Sequence, residues 1–526
     1  MGERIKMNNS VSISIEKWDI FELELKATTP GNPFLDVTLE ADFTHNHRDL
    51  RVTGFYDGED VYKIRFMPDM EGHWRFVTHS NLAALDNQVG SFECIPPSGS
   101  NHGPVRVVDR AHFAYGDGMP YHPVGTTCYV WNLQGDELEE QTLATLKEAP
   151  FNKMRMCVFP KRYSFNFNEP PCYPFEGEVK RPWDPANLRN QRTPTPTDFW
   201  DFTRFNPEYF RRLEKRILDL RELGIEADLI IFHPYDASAW GFDDLPPEVN
   251  DRYLQYISAR ISAFRNLWWS FANEFDLMNN RTLADWDHYF QLIQDADPYD
   301  HLRSIHNCRG FYDHGKPWVT HCSVQSHDLM QVPLWLQQYN KPVVVDECGY
   351  EGDIHLSWGD LSAEEMVHRF WLGFAAGGYV GHGETFVNEA EILWWAKGGT
   401  LCGESQPRIA FLRKIIEAVP APGLFPAPRR AVGGTNASEW IVPGGPSSYQ
   451  VASHNGTDYF LFYFGIHQPR YRYFSLPQGS YHIDILDAWN MTVERFTEAV
   501  SGEVRVELPR RKYLALRIEK NTWPKQ

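Results

Sequence analysis

The chain has 526 residues, of which 42% are hydrophobic and 23% are charged, the balance of a globular protein with more than one domain. Its 51 Lys and Arg against 70 Asp and Glu give a net charge of −19, which opposes binding to nucleic-acid phosphates. No stretch approaches the roughly 20 consecutive apolar residues that cross a bilayer. The first residues carry basic side chains without an apolar segment behind them, so we expect no signal peptide, no membrane partner and a cytoplasmic location.

The cysteines and the aromatic residues narrow the class of protein further. The eight cysteines are scattered without a CxxC pair, which argues against a zinc site and against a disulfide scaffold. Aromatic residues reach 14% of the chain. Because the C–H faces of sugar rings stack on aromatic side chains, this composition suits a carbohydrate ligand, and an aromatic-rich core is the alternative.

Alternating polar and apolar residues mark both ends of the chain as β-structure. Residues 1–98 alternate with period two between Gly, Asn and Asp turns, which predicts an N-terminal β-sandwich. A run rich in Pro, Gly and Ser follows, at 95–104. Near the other end, 419–435 is predicted to be a stiff Pro-rich linker, and 436–526 returns to the β pattern of a second sandwich.

Between these regions, residues 99–418 alternate buried apolar runs with amphipathic helices, the pattern of repeated βα units. Eight apolar segments are candidate strands: 121–130, 152–159, 226–233, 266–274, 302–307, 320–327, 341–347 and 377–384. Eight such strands predict an α/β fold, a (β/α)8 TIM barrel flanked by the two β-sandwich domains. Active sites of this barrel lie at the carboxyl ends of its strands, so polar residues there are candidates.

Two glutamates stand at such strand ends. Asn273 and Glu274 follow the apolar run of strand four, and Glu347 ends the run of strand seven. The gap of 73 residues (347 minus 274) holds three βα steps of about 24 residues each, so both carboxyl groups can face the barrel mouth.

Two facing carboxyl groups suit cleavage of a glycosidic bond, in which one protonates the leaving oxygen and the other acts at the anomeric carbon. A separation of about 5 Å implies direct attack and retained configuration, whereas about 6.5 to 9.5 Å admits a water and inverts it. The sequence leaves this distance open.

These residues resemble clan A glycoside hydrolases, in which Asn-Glu ends strand four and a second Glu ends strand seven. Phe151–Arg155 resembles the strand-two motif whose Arg steadies the nucleophile, and Gln325-Ser326-His327 is similar to strand six of the apiosidase-like subgroup. The segments 205–233 and 377–386 are similar to that subgroup as well, and 55–76 resembles an uncharacterised β-sandwich often fused before it. The resemblance implies a retaining hydrolase with Glu274 as acid/base and Glu347 as nucleophile.

Asn273 and Arg155 are predicted to assist the two glutamates. Asn273 is placed to donate to the sugar hydroxyl beside the anomeric carbon, with a turn cap as the alternative. Arg155, as a guanidinium beside the nucleophile, would keep Glu347 ionised by its opposite charge, with an ordinary ion pair elsewhere as the alternative.

Four histidines also stand at predicted strand ends: His233, His306, His327 and His382. Four imidazoles at one mouth could bind zinc, but the HxH and HExxH spacings are missing and glycoside cleavage needs no metal, so no metal and no cofactor are expected. Hydrogen bonding to sugar hydroxyls or to the carboxylates is the favoured role, and a structural histidine is the alternative.

Three further side chains and one loop complete the predicted site. Glu384 is a candidate ligand for a sugar hydroxyl, with a salt bridge as the alternative. Trp131 and Trp395 (with its neighbour Trp394) are candidate platforms for a sugar ring, with core packing as the alternative. The long loop 161–203 after strand two is expected to narrow the cleft to a pocket for terminal sugars or short oligosaccharides.

The residues and the resemblance together predict a glycoside hydrolase, retaining as the resemblance implies, that acts on terminal sugars or short oligosaccharides of plant or microbial polysaccharides; homo-oligomerisation is left open. A transglycosylase, an inverting hydrolase and a non-catalytic carbohydrate-binding or assembly protein on a barrel scaffold remain as alternatives.

Overall fold

The computed structural model describes residues 13–179, 199–236, 239–427 and 451–521. A parallel barrel with surrounding helices occupies the middle of the chain, and sheets lie before and after it. Each of the eight predicted strand segments contains one strand of the barrel sheet, so the predicted fold class is confirmed.

The N-terminal sheets pack around a cluster of aromatic rings. Phe43 stacks on Phe66 at 4.0 Å, and Phe21 stacks on Phe92 at 4.5 Å between ring centroids. The five-stranded sheet has the order Ser14–Glu16, Val89–Ile95, Gly72–Ser80, Leu39–His45 and Arg48–Thr53, and the three-stranded sheet has the order Phe21–Lys26, Val61–Phe66 and Phe55–Tyr56.

The barrel strands, numbered 1 to 8 along the chain, are Val124–Thr127, Lys153–Cys157, Glu226–Phe232, Leu267–Ala272, Leu302–Ser304, Cys322–Gln325, Val343–Glu347 and Tyr379–His382. They are hydrogen-bonded in the order 5-4-3-2-1-8-7-6. The gap between strands 5 and 6 is bridged by the Thr320 amide, which donates to the Arg303 carbonyl at 2.9 Å, and by the Gln325 amide, which donates to Asn307 Oδ1 at 3.1 Å. The carboxyl ends of all eight strands therefore share one mouth.

The helices of the described residues are α1 (Asp136–Glu148), α2 (Pro207–Glu222), α3 (Pro247–Ile261), α4 (Leu283–Ala296), α5 (Val332–Tyr339), α6 (Ala363–Ala375), α7 (Trp394–Lys397) and α8 (Ser405–Glu417), with 3-10 turns at Trp131–Leu133, Phe242–Asp244, Phe275–Leu277 and Leu329–Gln331. Local signals start two of them. The Asn206 side chain caps α2, where Pro207 takes the first position, and Thr282 and Asp285 form a reciprocal capping box at α4.

Short strands close the bottom of the barrel. They are Arg106–Val108, His112–Ala114 and Pro120–Tyr121. From them, the rings of Phe113 and Tyr121 pack on Trp268, with centroids 5.2 and 6.0 Å away. The amino ends of the strands are therefore sealed, and access is left at the carboxyl ends. Additional pairs of strands lie outside the barrel sheet, namely Phe175–Gly177 with Trp200–Phe205, and Glu351–Gly352 with Glu384–Thr385.

Buried ion pairs join the N-terminal region to the barrel helices. Arg65 Nη2 donates to Glu214 Oε2 at 2.9 Å, and Glu214 also accepts from Arg260. Arg260 Nη2 lies 2.8 Å from Asp57 Oδ1. Because Arg65 and Asp57 belong to the N-terminal region and Glu214 and Arg260 to α2 and α3, this network fixes one against the other.

The C-terminal sheet has the order Phe425–Pro426, Val451–Asn455, Tyr459–Tyr463, Leu514–Lys520, Tyr481–Asp487 and Thr492–Val500, and Tyr471–Ser475 pairs with Glu503–Glu507 beside it. Of the predicted linker, residues 419–427 are described. Val419 and Leu424 are buried in the same core as the barrel, and the strand at 425–426 belongs to the C-terminal sheet. Residues 428–435 lie outside the described part of the chain.

Candidate active site

Glu274 occupies a turn that the ends of strands 4 and 5 hold in place. Its backbone is left-handed, with φ of 50°, which is uncommon for a residue with a side chain. The Phe275 amide donates to the His306 carbonyl at 3.0 Å, and the Asn273 amide donates to the Phe232 carbonyl at 3.0 Å. These bonds fix the backbone on both sides of Glu274, whose side chain is buried at the mouth.

Glu347, at the end of strand 7, is held by donors from strand 2 and from the segment just after strand 1. Arg155 Nη1 donates to Glu347 Oε1 at 2.7 Å, and the Tyr129 hydroxyl donates a short hydrogen bond to the same oxygen. The Tyr129 hydroxyl also lies 3.2 Å from Asn273 Oδ1, so it connects the surroundings of the two glutamates. The predicted pairing of Arg155 with Glu347 is present in the structure.

The two glutamates have pKa values displaced in opposite directions. Burial alone would raise the pKa of Glu347, but His306, Arg155 and the Tyr129 hydroxyl outweigh it and hold this pKa well below the usual range. Burial and the nearby charge of Glu347 raise the pKa of Glu274. At neutral pH this arrangement favours an ionised Glu347 beside a Glu274 that keeps its proton more readily.

His306 links Glu347 to a polar chain in the barrel interior. Its Nε2 lies 3.5 Å from Glu347 Oε1, and its Nδ1 lies 3.1 Å from the Ser323 hydroxyl. Ser323 in turn donates to Asp346 Oδ2 at 2.6 Å, and Asp346 pairs with Lys153 at 2.8 Å. Among the predicted histidines, His306 is therefore the one with direct contact to a candidate catalytic carboxylate.

An aromatic wall stands beside the glutamates. The Trp395 ring contacts Tyr129, Tyr163 and Tyr350, with centroids 5.2, 5.5 and 5.9 Å away. The Tyr129 amide donates to the Trp395 carbonyl at 2.9 Å, which ties the loop after strand 8 to strand 1. Trp395 thus lies next to the groups that hold Glu347, where a sugar platform was predicted. Its neighbour Trp394 is buried and donates through Nε1 to the Thr126 hydroxyl at 2.9 Å.

His382 and Glu384 point away from the barrel interior, so the geometry gives no support for the prediction that they bind sugar. His382 is paired with Thr126, whereas Arg155, which faces inward, is paired with the next residue, Thr127. Neighbouring residues of a strand face opposite sides, so His382 faces the helices, where it stacks on Phe151 at 4.7 Å.

Glu384 lies beyond the end of strand 8 and accepts from the backbone amides of Cys402 and Gly403. Together with His382 and Glu351 it forms a buried group whose ligand atoms lie within 4.8 Å of one another, the geometry of a candidate metal site among the described residues. The Glu351 carboxylate, however, accepts from the amides of Glu404 and Ser405. Both carboxylates therefore already serve to anchor the loop that leads into α8.

Three other predicted residues do not approach the two glutamates in any contact that the structure shows. His233 Nε2 lies 3.2 Å from the Phe159 carbonyl oxygen, and His233 Nδ1 accepts a hydrogen bond from the Tyr235 amide at 3.2 Å. His327 is exposed at the rim, with Nδ1 3.0 Å from Arg369 Nη1. Trp131 is fully buried, and its Nε1 lies 3.3 Å from Met156 Sδ. These contacts are structural, so the geometry gives no support for sugar binding by His233 or Trp131.

Tyr129, Lys161 and Cys308 contact this site, and none of them was singled out from the sequence. The Lys161 ammonium lies 3.4 Å from the centroid of the Tyr129 ring. The Cys308 thiol hydrogen-bonds the Glu274 side chain. Tyr129 lies two residues beyond the end of strand 1 and Lys161 four residues beyond the end of strand 2, so their position after a strand end was the available signal.

Comparisons with known proteins agree with this architecture. Residues 109–405 match the family model described as apiosidase-like, catalytic domain, and this match covers more than half of the chain. Residues 14–81 and 449–519 match two domains of unknown function, DUF5060 and DUF5605. No curated protein sequence matches the chain significantly.

Solved structures extend the comparison over nearly the whole chain. A provisionally assigned glycoside hydrolase from Bacteroides vulgatus ATCC 8482 is 40% identical, with a TM-score of 0.86, over 97% of this chain and 100% of that one. A family 5 glycoside hydrolase from the same organism is 15% identical, with a TM-score of 0.57, over 80% of this chain and 94% of that one, and shares the fold alone.

The fold and the catalytic-domain match define an enzyme of the glycoside hydrolase class. Within that class, the chain belongs to the apiosidase-like family. The resemblance drawn from the sequence is thereby confirmed. No helix among the described residues has the length and apolar character needed to span a membrane.

Proposed function

We propose that this protein is a retaining glycoside hydrolase in which Glu347 is the nucleophile and Glu274 the acid/base. The observation that carries the proposal is the position of both buried glutamates at one barrel mouth, where Arg155 and Tyr129 donate to Glu347, and the opposite pKa shifts of the two carboxyl groups agree with it. A nucleophile must be ionised, whereas a general acid must hold a proton, and the surroundings of the two carboxyl groups meet these different demands.

The surrounding contacts support each step of a double displacement. In the first step, Glu274 donates its proton to the leaving oxygen while Glu347 bonds to the anomeric carbon. Arg155 and Tyr129 keep the Glu347 oxygen aligned and charged until it attacks. In the second step, Glu274, now ionised, takes a proton from a water, and that water releases the sugar from Glu347.

Substrates of this enzyme are terminal sugars or short oligosaccharides. Described parts of the loop after strand 2 support this substrate class. The ring centroids of Tyr163 and Phe165 lie 5.5 and 6.0 Å from that of Trp395, so both rings pack against the aromatic wall. Such packing narrows a cleft toward a pocket. The test compares hydrolysis of a long polysaccharide with hydrolysis of the corresponding trimer. A rapid fall in the viscosity of the polysaccharide, with no faster release of sugar from the trimer, would contradict this part of the proposal.

The assignment is tested with Glu274→Gln and Glu347→Gln on a panel of 4-nitrophenyl furanosides and pyranosides of both configurations. We expect each variant to lose at least about 1,000-fold in kcat while its melting temperature stays near that of the wild type. Removing the nucleophile, or the acid/base that acts on the leaving oxygen and the water, has effects of this order. Glu351→Gln, which alters a buried carboxylate outside the mouth, is the matched control. Wild-type turnover by either catalytic variant would refute the assignment.

A further inference from the structure

A buried lysine beside the two glutamates forms no ion pair at contact distance among the described residues. Lys161 is 4% exposed, and within the described ranges no carboxylate or other acceptor contacts its ammonium. Burying an unpaired charge costs free energy, because the ammonium gives up its water. Its three N–H donors are accordingly available to a group that the protein itself does not provide.

Aromatic rings hold this ammonium in place. Its Nζ lies 3.4 Å from the ring centroid of Tyr129, 4.3 Å from Tyr235, 4.8 Å from Trp395 and 5.2 Å from Tyr163. Cation–π attraction offsets part of the lost hydration, but rings accept no strong hydrogen bond. The cage therefore positions the ammonium without occupying its donors.

The cage also places Lys161 at the proposed reaction centre. Tyr129, the nearest ring, donates to Glu347, and Trp395 belongs to the aromatic wall. The charges of both Glu347 and Glu274 act on the lysine. The backbone is fixed as well, because the Arg162 amide donates to the Tyr235 carbonyl at 2.7 Å and Asn166 Nδ2 donates to the Lys161 carbonyl at 2.7 Å.

We propose that the Lys161 ammonium binds an oxygen atom on a substituent of the sugar ring in the catalytic pocket. The lysine thereby selects substrates that carry a hydrogen-bond acceptor at that position of the ring. The inference rests on the proposed function and adds to it a specificity-determining residue. A sugar carboxylate and a sugar hydroxyl share the required chemistry, and the experiment distinguishes them. In either case the substrate completes the hydrogen bonding that the aromatic cage leaves open.

The lysine adds a pH dependence to binding. Burial lowers the pKa of Lys161 to about 8. The ammonium is charged below this pH and loses its charge above it, so KM should rise above about pH 8. The titratable and charged groups that face it are Tyr129, Tyr163, Tyr235, Cys157, Arg155, His233, Glu274 and Glu347. Lys161→Met should remove this rise, whereas a change in Glu274 acts on kcat.

The test measures kcat and KM for the wild type, Lys161→Met and the control Lys17→Met on paired 4-nitrophenyl glycosides and the corresponding uronides. Lys17 also places its ammonium over a ring, 4.1 Å from Trp18, but in the N-terminal region. We expect Lys161→Met to lower kcat/KM by about 10- to 100-fold, mainly through KM, as for loss of a charged hydrogen bond, and Lys17→Met to leave it unchanged.

The substrate pairs identify the acceptor. A loss confined to uronides assigns a carboxylate, and a loss on neutral glycosides that disappears with one deoxy analogue assigns that hydroxyl. Equal kcat/KM for the wild type and Lys161→Met on every hydrolysed substrate overturns this inference and leaves the glutamate assignment intact. Absence of wild-type turnover on the whole panel would overturn the proposed function, and the inference with it.

Discussion

Removing the Tyr129 hydroxyl tests how Glu347 is kept ready to react. Tyr129→Phe keeps the ring that contacts Trp395 and Lys161 but deletes the donor to Glu347 Oε1 and the contact with Asn273 Oδ1 at 3.2 Å. A buried hydrogen bond to a charged group contributes about 1.5 to 3 kcal/mol. At 1.36 kcal/mol per tenfold, we expect kcat/KM to fall by about 10- to 150-fold.

The same loss changes the pH dependence in a known direction. Without the hydroxyl, the carboxylate of Glu347 is less stabilised, so its pKa rises and the acidic limb of kcat/KM moves to higher pH. The assay is hydrolysis of one aryl glycoside from the panel between pH 3 and about 9, with melting temperature as the folding check. Tyr209→Phe is the matched control, because its hydroxyl donates to the Val158 carbonyl in the barrel wall. Activity of Tyr129→Phe within about twofold of wild type would refute the reasoning.

Three further predictions concern stability, measured by urea unfolding. Glu214→Ala leaves Arg65 and Arg260 without their shared buried carboxylate and should cost about 3 to 5 kcal/mol. Lys153→Met leaves two buried carboxylates, Asp228 and Asp346, without their ammonium partner and should cost a similar amount at neutral pH. The cost should be smaller toward pH 2, because burial raises the pKa of Asp346 but Lys153, Arg155 and His306 outweigh it and hold this pKa at about 2, where the carboxyl group takes up a proton. Burial raises the pKa of Glu226 to about 8. Between about pH 4.3 and pH 8 the folded state therefore keeps a proton that the unfolded chain has released, so the free energy of unfolding of the wild type should fall by up to about 1.4 kcal/mol per pH unit. Glu226→Gln should remove this slope.

Each of these stability predictions has its own contradicting result. A Glu214→Ala variant that unfolds at the wild-type urea concentration would show that the network between the N-terminal region and the barrel adds nothing. An equal cost of Lys153→Met at pH 2 and pH 7 would contradict the role given to Asp346. A pH slope that persists in Glu226→Gln would assign that slope to another group.

The succession of strands and helices could be predicted because each barrel strand is an apolar run bounded by polar residues. The helices Val332–Tyr339, Trp394–Lys397 and Ser405–Glu417 were not predicted; the first two are too short for a helical periodicity to stand out, whereas the third has 13 residues. The prolines of 419–435 predict a stiff linker, but they do not show that Val419 and Leu424 pack in a core.

The sequence predicts which residues lie at the ends of the barrel strands, but not which of them point into the site. Strands of a parallel barrel are buried on both faces, so their sequence does not tell the inner face from the outer one. This is why His382 was expected at the mouth although it faces the helices. Tyr129 and Lys161 were missed for a related reason, since a tyrosine after an apolar strand looks like a core residue and a buried unpaired lysine has no sequence pattern.

The most direct test of the double displacement by Glu347 and Glu274 is the configuration of the first sugar released. Proton NMR of the hydrolysis of an aryl glycoside from the panel, recorded before mutarotation, reports the anomeric form directly. We predict that the product first appears with the configuration of the substrate, because two inversions at one carbon restore it. Initial release of the opposite anomer would contradict the account, since a water and not Glu347 would then attack the anomeric carbon.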